Sequence, residues 1–370
     1  ILARDVARGA GLQRVLSFDM GGTTAKLCLI DHFRPQTTRR FEIARADRFI
    51  KGSGMPVRIP VIEMIEIGAG GGSIAHVDRL GRVQIGPESA GSEPGPAAFA
   101  KGGTSPTVTD ADVAQGLIDP EFFAEGQLKI DEQAAETAIK DHVGDPLGLD
   151  AVDAAQGVSE IVDENMAGAG RMHAVESGKD LSQRLMIAFG GNGTLHATRV
   201  ARRAQVDRIL IPQDPGVGSA VGFLFAPVSF EIVRSRYATL EDLDVRGLNA
   251  FFDDLAAEAT GVVRAGAPNG ELSQRRVGFM RYHGQGHEIE IPLPNRHLTS
   301  ADLPELRTAF ETEYSRQFSR AVPGMTVEVL NWGIEVASQG KDLKRFGATA
   351  TNQTAKAQGK RRIYCEIAGE

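Results

Sequence analysis

Clustered glycine constrains this chain more than any other sequence feature. The chain has 43 glycines in 370 residues, where about 7% is usual, and they gather at 21–22, 68–72, 86–103, 190–193 and 216–222. A glycine inside a regular element costs about 0.5–1 kcal/mol relative to alanine. Such runs are therefore expected where side chains do not fit, and they predict turns that bring the backbone close to a ligand.

The first cluster closes a predicted β-hairpin. Residues 12–19 form an apolar run of strand length that ends in Asp19, and residues 25–30 predict the return strand. Gly21 and Gly22 lie between them and favour a tight turn. The pattern places an acid at the mouth of a hairpin.

Strands and helices alternate around the later clusters. Residues 150–178 carry apolar side chains at a helical period, and residues 185–189 predict a buried strand that runs into the glycines at 190–193. A helix is expected over 195–204 and a short strand over 208–212. Strand, glycine turn, helix and strand in this order are typical of an α/β protein.

The length predicts two or three packed units. We predict an α/β domain over 1–236 with a helical and loop insertion over 86–180, and an α+β domain over 237–338. The Gln-, Lys- and Thr-rich residues 339–370 predict an exposed linker and the start of a strand.

Helices and strands are also expected in the α+β domain. The pattern predicts a helix over 248–265, an antiparallel hairpin over 276–292, a helix over 303–318 and a strand over 326–337. The residues between 86 and 110 are rich in Gly, Pro and Ser and predict a long loop.

Composition excludes several classes of protein. The net charge of −7, with no long basic run before the last dozen residues, argues against nucleic-acid binding. Cys28 and Cys365 have no metal-binding or disulfide spacing, which favours a reducing, cytoplasmic compartment. No apolar run is long enough to cross a membrane. The chain lacks an initiator Met, so we expect it to be processed or a fragment.

The hairpin mouth is the first candidate site. Unobstructed amides at Gly21 and Gly22, together with the hydroxyls of Thr23 and Thr24, are suited to cradle phosphate oxygens. The Asp19 carboxylate is suited to hold Mg²⁺ or a water. A plain hairpin turn is the alternative, and it explains the glycines but not the combination of Asp with two Thr.

The turn at Gly190, Gly191, Asn192 and Gly193 is the second candidate. Amide donors at the start of a helix attract an anion, and glycines also leave a flat surface for an adenine ring. Packing alone is the other explanation. The segment matches neither a dinucleotide-binding fingerprint nor a phosphate loop with a lysine.

A third group of residues is the candidate for the substrate side of the site. A glycine run surrounds Gly70 and Gly71, and a second motif covers 106–112. A crowded crossing between domains is the alternative. The possible substrate-side residues are Gly70, Gly71, Ser73, Asp110, Asp112 and His196.

His283 and His287 flank a glycine turn. Histidines at this spacing chelate zinc when they lie on a helix, whereas the glycines between them favour a strand or turn. The sequence is therefore compatible with two interpretations, a metal site and a hydrogen-bonded turn. Cys28 lies in an apolar strand and is expected in the core.

Taken in order, these motifs resemble the hydantoinase A / 5-oxoprolinase family. The resemblance extends over about 12–337, and its motifs lie at 19–26, 67–75, 86–91, 94–96, 106–112 and 189–197. It implies an actin-like ATPase fold, of the sugar-kinase and chaperone type, in which two related halves close on a nucleotide. The Asp-x-Gly-Gly-Thr motif occurs twice in that family, and the copy at 19–23 resembles the second. The chain therefore resembles the central part of a longer subunit.

The resemblance also implies a chemistry. Relatives use ATP and Mg²⁺ to phosphorylate an unreactive carbonyl oxygen before hydrolysis or carboxylation. The leading expectation is a subunit of an ATP-dependent cyclic-amide hydrolase. The alternatives are a subunit of an ATP-dependent ketone carboxylase and a nucleotide-binding scaffold without turnover.

By the same resemblance, Asp19 and Thr23 are expected to be catalytic, with Asp19 on Mg²⁺. The expected nucleotide-binding residues are Gly21, Gly22, Thr23, Thr24, Lys26, Gly190, Gly191, Asn192 and Gly193. A hydantoinase B-like polypeptide is the expected partner, in a hetero-oligomer that acts on a small molecule.

Overall fold

The structure, a computed structural model, describes residues 1–39, 41–43, 53–57, 59, 61–339 and 359–364. These residues form two compact units. The first comprises Ile1–Leu224 together with residues 359–364, and the second lies within Phe225–Asp342. Most of the predicted linker over 339–370 lies outside the described residues.

The first unit alternates strands and helices. Its strands are β1 (Arg14–Met20), β2 (Ala25–Asp31), β3 (Arg34–Pro35), β4 (Thr37–Thr38), β5 (Phe41–Ile43), β6 (Met55–Val57), β7 (Val61–Ile62), β8 (Met64–Ile67), β9 (Ser73–Val77), β10 (Val83–Ser89), β11 (Leu185–Phe189) and β12 (Arg208–Leu210). Its helices are α1 (Leu2–Gly9), α2 (Val108–Ala114), α3 (Glu132–Ile139), α4 (Asp145–Leu147), α5 (Ala151–Glu176), α6 (Gly193–Arg203) and α7 (Gly218–Leu224).

A six-stranded mixed sheet organises this unit. The strand order is β12-β11-β1-β2-β3, and β8 also pairs with β2. β1 runs parallel to β11 and antiparallel to β2, so Asp19 lies beside Phe189 on one strand and Lys26 on the other. The predicted hairpin and the predicted buried strand over 185–189 are confirmed. Because β1 and β11 end at the same edge, the turns that follow them leave the sheet together.

Helices cover both faces of the sheet. Leu16 and Phe18 belong to a core that includes α5 and α6, whereas Val15 and Leu185 pack with α1 on the opposite face. Burial on both faces explains why β11 is apolar along its whole length. Cys28 is 9% exposed and belongs to the core on the α1 face of the sheet, and its predicted place in the core is confirmed.

Helix ends follow local capping chemistry. The carboxylate of Asp150 accepts a hydrogen bond from the amide of Asp153 (2.8 Å) and starts α5, as the predicted helix over 150–178 requires. Helix α3 is α-helical to Ile139 and continues as a π-helical turn over Lys140–Gly144. Although α5 has 26 residues, neither it nor another described helix is both long and apolar enough to cross a membrane.

The predicted loop between 86 and 110 is shorter than expected. β10 continues to Ser89, and α2 already begins at Val108. Thr107 and Asp110 form a capping box, in which each side chain accepts from the other residue's backbone amide. This reciprocal cap starts the helix inside the segment that was expected to be a loop.

The second unit is an antiparallel sheet with two helices. Its elements are β13 (Ser229–Thr239), α8 (Val245–Gly266), β14 (Leu272–Tyr282), β15 (Ile289–Leu293), α9 (Leu303–Phe318) and β16 (Val327–Ser338). The strand order is β13-β16-β14-β15. The predicted helix over 303–318 has the predicted ends, and the predicted hairpin over 276–292 is confirmed.

One core joins this sheet to its helices. Trp332 is fully buried against the ring of Phe252, with centroids 6.0 Å apart, and its indole nitrogen donates to the carbonyl of Arg236 (2.8 Å). β13 pairs with β16 from Ser229 onward, so the unit begins before the predicted boundary at 236. The earlier boundary keeps the whole strand with the sheet that satisfies its backbone hydrogen bonds.

Candidate functional site

The candidate site begins at the end of β1. Asp19 is half-buried there, and its carboxylate accepts a hydrogen bond from the hydroxyl of Ser219 on α7. The amide of Gly21 donates to the carbonyl of Thr24 (3.0 Å) and closes the hairpin turn. Gly22 and Thr23 at its tip are exposed. The predicted hairpin mouth therefore has an acid at its base and an open backbone at its tip.

The turn after β11 packs onto this acid. Gly190 has a φ of +96°, and a Cβ placed there would lie 2.5 Å from an Asp19 carboxylate oxygen and 2.3 Å from the Met20 carbonyl oxygen. The amide of Asn192 donates to the same Met20 carbonyl (3.0 Å). Glycine is required at 190 because the turn lies directly against β1.

A third glycine turn joins the first two. The amides of Gly71 and Gly72 donate to the carbonyls of Gly21 (3.1 Å) and Gly22 (2.6 Å). A Cβ on Gly71 would lie 1.8 Å from the side-chain nitrogen of Asn192. The tertiary structure thus brings together three glycine clusters that are far apart in the sequence.

Two glycines in this arrangement have free space around them. A Cβ on Gly22 or Gly191 would meet no heavy atom within 4 Å. Among the described residues, the amide nitrogens of Gly22, Thr23 and Gly191 have no hydrogen-bond acceptor. Packing of the described chain therefore does not account for these glycines, and their amides are available to a ligand.

The six predicted substrate-side residues are all buried. Gly70, Gly71 and Ser73 form the crossing between turns, where the Ser73 hydroxyl accepts from the amide of Gly70 (2.9 Å). A Cβ on Gly70 would lie 2.5 Å from the amide nitrogen of Thr23. Glycine is therefore required at 70 and 71 where these turns pack together within the first unit, and their place on the substrate side stays a prediction.

Asp110 has a supporting role of the same kind. Its carboxylate accepts hydrogen bonds from the amides of Ala97 (3.2 Å), Ala98 (2.7 Å) and Thr107 (2.9 Å) and from the Thr107 hydroxyl (2.7 Å). Burial raises the pKa of Asp110 above its ordinary value, and these donors oppose that shift. The residue therefore holds the chain around 97–110, and its assignment to the substrate side stays a prediction.

Asp112 and His196 belong to a group that we name the buried ion cluster, which consists of Asp112, Asp163, His196 and Arg199. The imidazole Nε2 of His196 lies 3.1 Å from an Asp112 oxygen, and its Nδ1 lies 2.7 Å from an Asp163 oxygen. Arg199 lies 2.6 Å from the other Asp163 oxygen. Both carboxylates and the imidazole are inaccessible to solvent. The assignment of Asp112 and His196 to the substrate side stays a prediction.

The cluster fixes the charge of its histidine. Burial alone lowers the pKa of His196, but Asp112 and Asp163 more than offset this and raise the pKa to about 10. With His196 protonated, two cations face two anions in the interior.

The predicted nucleotide residues separate into accessible and packing positions. Lys26 is partly exposed, and its ammonium donates to the hydroxyl of Thr24 (3.2 Å) and lies 3.5 Å from a Glu66 carboxylate oxygen. The side-chain nitrogen of Asn192 is buried against Gly71 with no hydrogen-bond partner among the described residues. The Asn192 side chain therefore faces the crossing, and the assignment of Asn192 as a nucleotide-binding residue stays a prediction.

The histidines of the second unit have separate partners. His283 Nδ1 lies 2.9 Å from a Glu328 oxygen, whereas the His287 ring packs on Phe318 with centroids 6.0 Å apart. Gly284, with φ +82°, lies in the turn between them. The described residues contain no cluster of three or more His, Cys, Asp or Glu able to hold a metal. The turn interpretation fits this geometry.

Sequence reasoning did not find Ser219, Asp163 or Arg199. Ser219 lies in the glycine cluster at 216–222, which predicts a turn near a ligand but does not single out the serine. Asp163 follows the buried Val162 in α5, and a charge among apolar helix positions was the available signal. Neither signal identifies the partner, since Asp163 and His196 are on different helices.

A protein-family model described as hydantoinase/oxoprolinase matches residues 1–232. The chain belongs to the hydantoinase/oxoprolinase family. Caprolactamase subunit alpha of Pseudomonas jessenii is 30% identical over 330 residues, which cover 88% of this chain and 46% of that protein. The acetophenone carboxylase gamma subunit of Aromatoleum aromaticum is 29% identical over 375 residues, which cover 97% of this chain and 50% of the relative.

Solved structures of this family have the same fold. The ATP-dependent caprolactamase of Pseudomonas jessenii superposes with a TM-score of 0.69 at 29% identity, over 92% of this chain and 48% of that one. A nucleotide-free acetone carboxylase structure gives a TM-score of 0.74 at 24% identity, over 91% of this chain and 48% of that one. The chain spans about half the length of the relatives it matches.

Proposed function

We propose that this chain is the nucleotide-binding part of a subunit of an ATP-dependent cyclic-amide hydrolase. In this proposal the first unit has an actin-like ATPase fold, and the enzyme phosphorylates a carbonyl oxygen before water opens the ring. One observation carries it. The free amides of Gly22, Thr23 and Gly191 lie in the turns that follow β1 and β11, at the edge of the sheet where Asp19 lies.

Free amides on glycine turns are suited to phosphate oxygens. Gly191 precedes Asn192, the N-cap of α6, so its amide and the dipole of the 11-residue helix both favour a negative charge. Gly22 and Thr23 supply further amides at the hairpin tip, and Lys26 and Thr24 lie on the same hairpin. These groups support binding of a polyphosphate, which we propose to be ATP.

The oxygen donors at the site are suited to Mg²⁺. Mg²⁺ prefers one or two carboxylates, waters and substrate phosphates to a complete protein cage. Asp19 supplies a carboxylate, and the hydroxyls of Ser219 and Thr23 lie on the segments that adjoin it. When bound, Mg²⁺ neutralises phosphate charge. Without a cation, the Asp19 carboxylate repels a bound phosphate.

The chemical reason for using ATP is the poor reactivity of an amide carbonyl. Transfer of a phosphoryl group to the oxygen provides a leaving group and makes the carbon accept a water. Backbone amides that face the transferred group stabilise the charge that develops on it. The family relative named ATP-dependent caprolactamase supports this chemistry.

A second candidate is an ATP-dependent ketone carboxylase subunit. It is favoured by the match to the acetophenone carboxylase gamma subunit, which covers 97% of this chain, against 88% for the caprolactamase subunit. Both candidates use the same phosphate site. In either case we propose a hydantoinase B-like polypeptide as the partner in a hetero-oligomer, as the subunit names of the relatives suggest.

ADP release separates the candidates. The full-length protein, mixed with its partner polypeptide, is given ATP, Mg²⁺ and hydantoin, oxoproline or caprolactam without bicarbonate. We expect ADP to form with a cyclic amide. ADP that forms only with bicarbonate and a ketone supports the carboxylase, and nucleotide binding without turnover on either set supports a scaffold.

Asp19→Asn tests the site itself. We expect turnover to fall by a factor of about 100 or more, because the amide cannot replace the carboxylate on the cation, while the melting temperature stays within a few degrees. Asp207→Asn, which changes an exposed carboxylate beyond α6, is the matched control and keeps wild-type turnover. Wild-type turnover in Asp19→Asn would remove Asp19 from the mechanism.

A further inference from the structure

The buried ion cluster lies on α2, α5 and α6, and α6 begins at the 190–193 turn of the proposed nucleotide site. Both ring nitrogens of His196 face carboxylate oxygens, at 3.1 Å and 2.7 Å. An ionised carboxylate only accepts hydrogen bonds, so both nitrogens must donate and the ring is an imidazolium. This geometry makes the cluster electrically balanced and its hydrogen bonds directional.

Asp112 connects the cluster to the turn at 70–72. It lies on α2, and at the start of the same helix the amide of Thr109 donates to the carbonyl of Gly71 (2.7 Å). Gly71 in turn donates to Gly21 in the hairpin. A displacement of α2 therefore moves the turn that supports the hairpin tip.

His196 connects the cluster to the turn at 190–193. It lies in the first turn of α6, four residues after the N-cap Asn192. The amide of Asn192 donates to the Met20 carbonyl. Asp163 on α5 accepts from the same imidazole. α2 and α6 both pack against α5, so the cluster joins three helices that back the site.

We propose that His196 is a positioning residue: its contacts with Asp112 and Asp163 hold the turns at 70–72 and 190–193 at the separation that nucleotide binding requires. The inference rests on the proposed nucleotide site. The separation is critical because Gly71 and Asn192 are already in contact, with no space for a Cβ between them. A shift of either helix opens this contact or breaks the Gly71 to Gly21 hydrogen bond.

Nucleotide affinity tests the proposal in the full-length protein. His196→Gln leaves two buried carboxylates with one cation, and we expect it to weaken ADP binding, measured by calorimetry, about tenfold or more. Asp112→Asn combined with His196→Gln leaves Asp163 paired with Arg199. We expect this double variant to bind ADP more tightly than His196→Gln.

Val162→Ala is the matched control. Val162 is fully buried on α5 beside Asp163 and carries no charge, so its truncation lowers stability without changing the cluster's charge balance. We expect Val162→Ala to keep wild-type ADP affinity. Equal weakening by Val162→Ala and His196→Gln, at equal loss of melting temperature, overturns the proposal, because stability alone then explains the effect.

Hydrogen exchange gives a readout that needs no nucleotide. In His196→Gln we expect faster exchange at the amides of Gly71 and Asn192 than in the wild type or in Val162→Ala. If the wild type binds no nucleotide, the proposed function fails, and exchange then decides only whether His196 holds the two turns in place. If the wild type binds ADP and His196→Gln matches it in affinity and exchange, the inference fails and the proposed function stands.

Arg199→Gln is the second variant, to be used if His196→Gln does not fold. Arg199 is 18% exposed at the edge of the cluster, so Arg199→Gln leaves its partners closer to water. We expect the same direction of change in affinity and exchange. Wild-type behaviour of Arg199→Gln would then overturn the proposal.

Discussion

Each unit contains a histidine, carboxylates and an arginine in contact, but the two groups differ in their access to solvent. In the buried ion cluster of the first unit, the side chains of Asp112, Asp163 and His196 have no exposed surface. In the second unit, Glu328 is 2% exposed, yet it pairs with His283, which is 69% exposed, and with Arg281, which is 24% exposed.

The difference in solvent access changes what the same residue types do. Glu328 also accepts a hydrogen bond from the exposed Tyr237 (3.2 Å). Burial alone raises the pKa of Glu328, but His283 and Arg281 offset this and hold it below its ordinary value. Water solvates these partners if Glu328 is removed, whereas His196 beside Asp163 has no exposed surface and Arg199 is only 18% exposed. Only the buried ion cluster is therefore expected to control the position of turns outside its own contacts.

Asp163→Asn should have the largest effect. It leaves His196 and Arg199 with one carboxylate, and breaking a buried ion pair costs about 3–5 kcal/mol. We expect the free energy of unfolding of the first unit to fall by about this amount. Hydrogen-exchange pulse labelling in urea measures it, because mass spectrometry follows peptides of each unit separately. A loss below about 1 kcal/mol is typical of a surface pair. It would show that the buried ion cluster is no stronger than an exposed one.

Alkaline pH should have the next largest effect. The folded pKa of His196, about 10, lies above its ordinary value of 6.5. The stabilisation is therefore complete below about pH 6.5 and is lost as pH rises toward 10. Between these limits the folded state holds one more proton than the unfolded state, so the first unit should lose about 1.4 kcal/mol per pH unit.

Urea denaturation at pH 7, 8 and 9 measures this slope. The double variant Asp112→Asn with His196→Gln is the control, since it has no imidazole at this position and should lack His196's contribution. Equal slopes in the wild type and the double variant would show that His196 is not protonated in the interior.

Glu328→Gln should have the smallest effect. Its partners Arg281 and His283 retain contact with water, so we expect the second unit to lose about 1 kcal/mol or less. The same pulse-labelling experiment measures the loss on peptides of β14 and β16. A loss as large as that for Asp163→Asn would mean that solvent access does not separate the two groups.

Local structure was predictable where the signal is local. The hairpin at Asp19, the strand at 185–189 and the ends of α9 follow from apolar period, turn residues and capping residues, all read within one element. The capping box at Thr107 and Asp110 was equally local, but the Gly- and Pro-rich composition around it obscured the start of α2.

The site was predictable only in part. Asp19 and the glycine clusters are visible as motifs, but their roles depend on what lies opposite each one. Gly71 faces Asn192 and requires the absence of a Cβ, whereas Gly22 faces open space. Both residues are glycines in glycine-rich motifs. The sequence therefore does not distinguish a glycine required for packing from one that exposes its backbone.

The sequence by itself determined the elements, the family and the acid at the hairpin mouth, because hydrophobic period, turn chemistry and ordered motifs depend on neighbouring residues. Only the tertiary structure decided that Asp112, Asp163 and His196 meet in the interior and that Gly22 and Gly191 stay open. The physical reason is that burial and pairing are set by residues far away in the chain. A histidine is an exposed turn residue at 283 and a buried cation at 196 because of what packs around it.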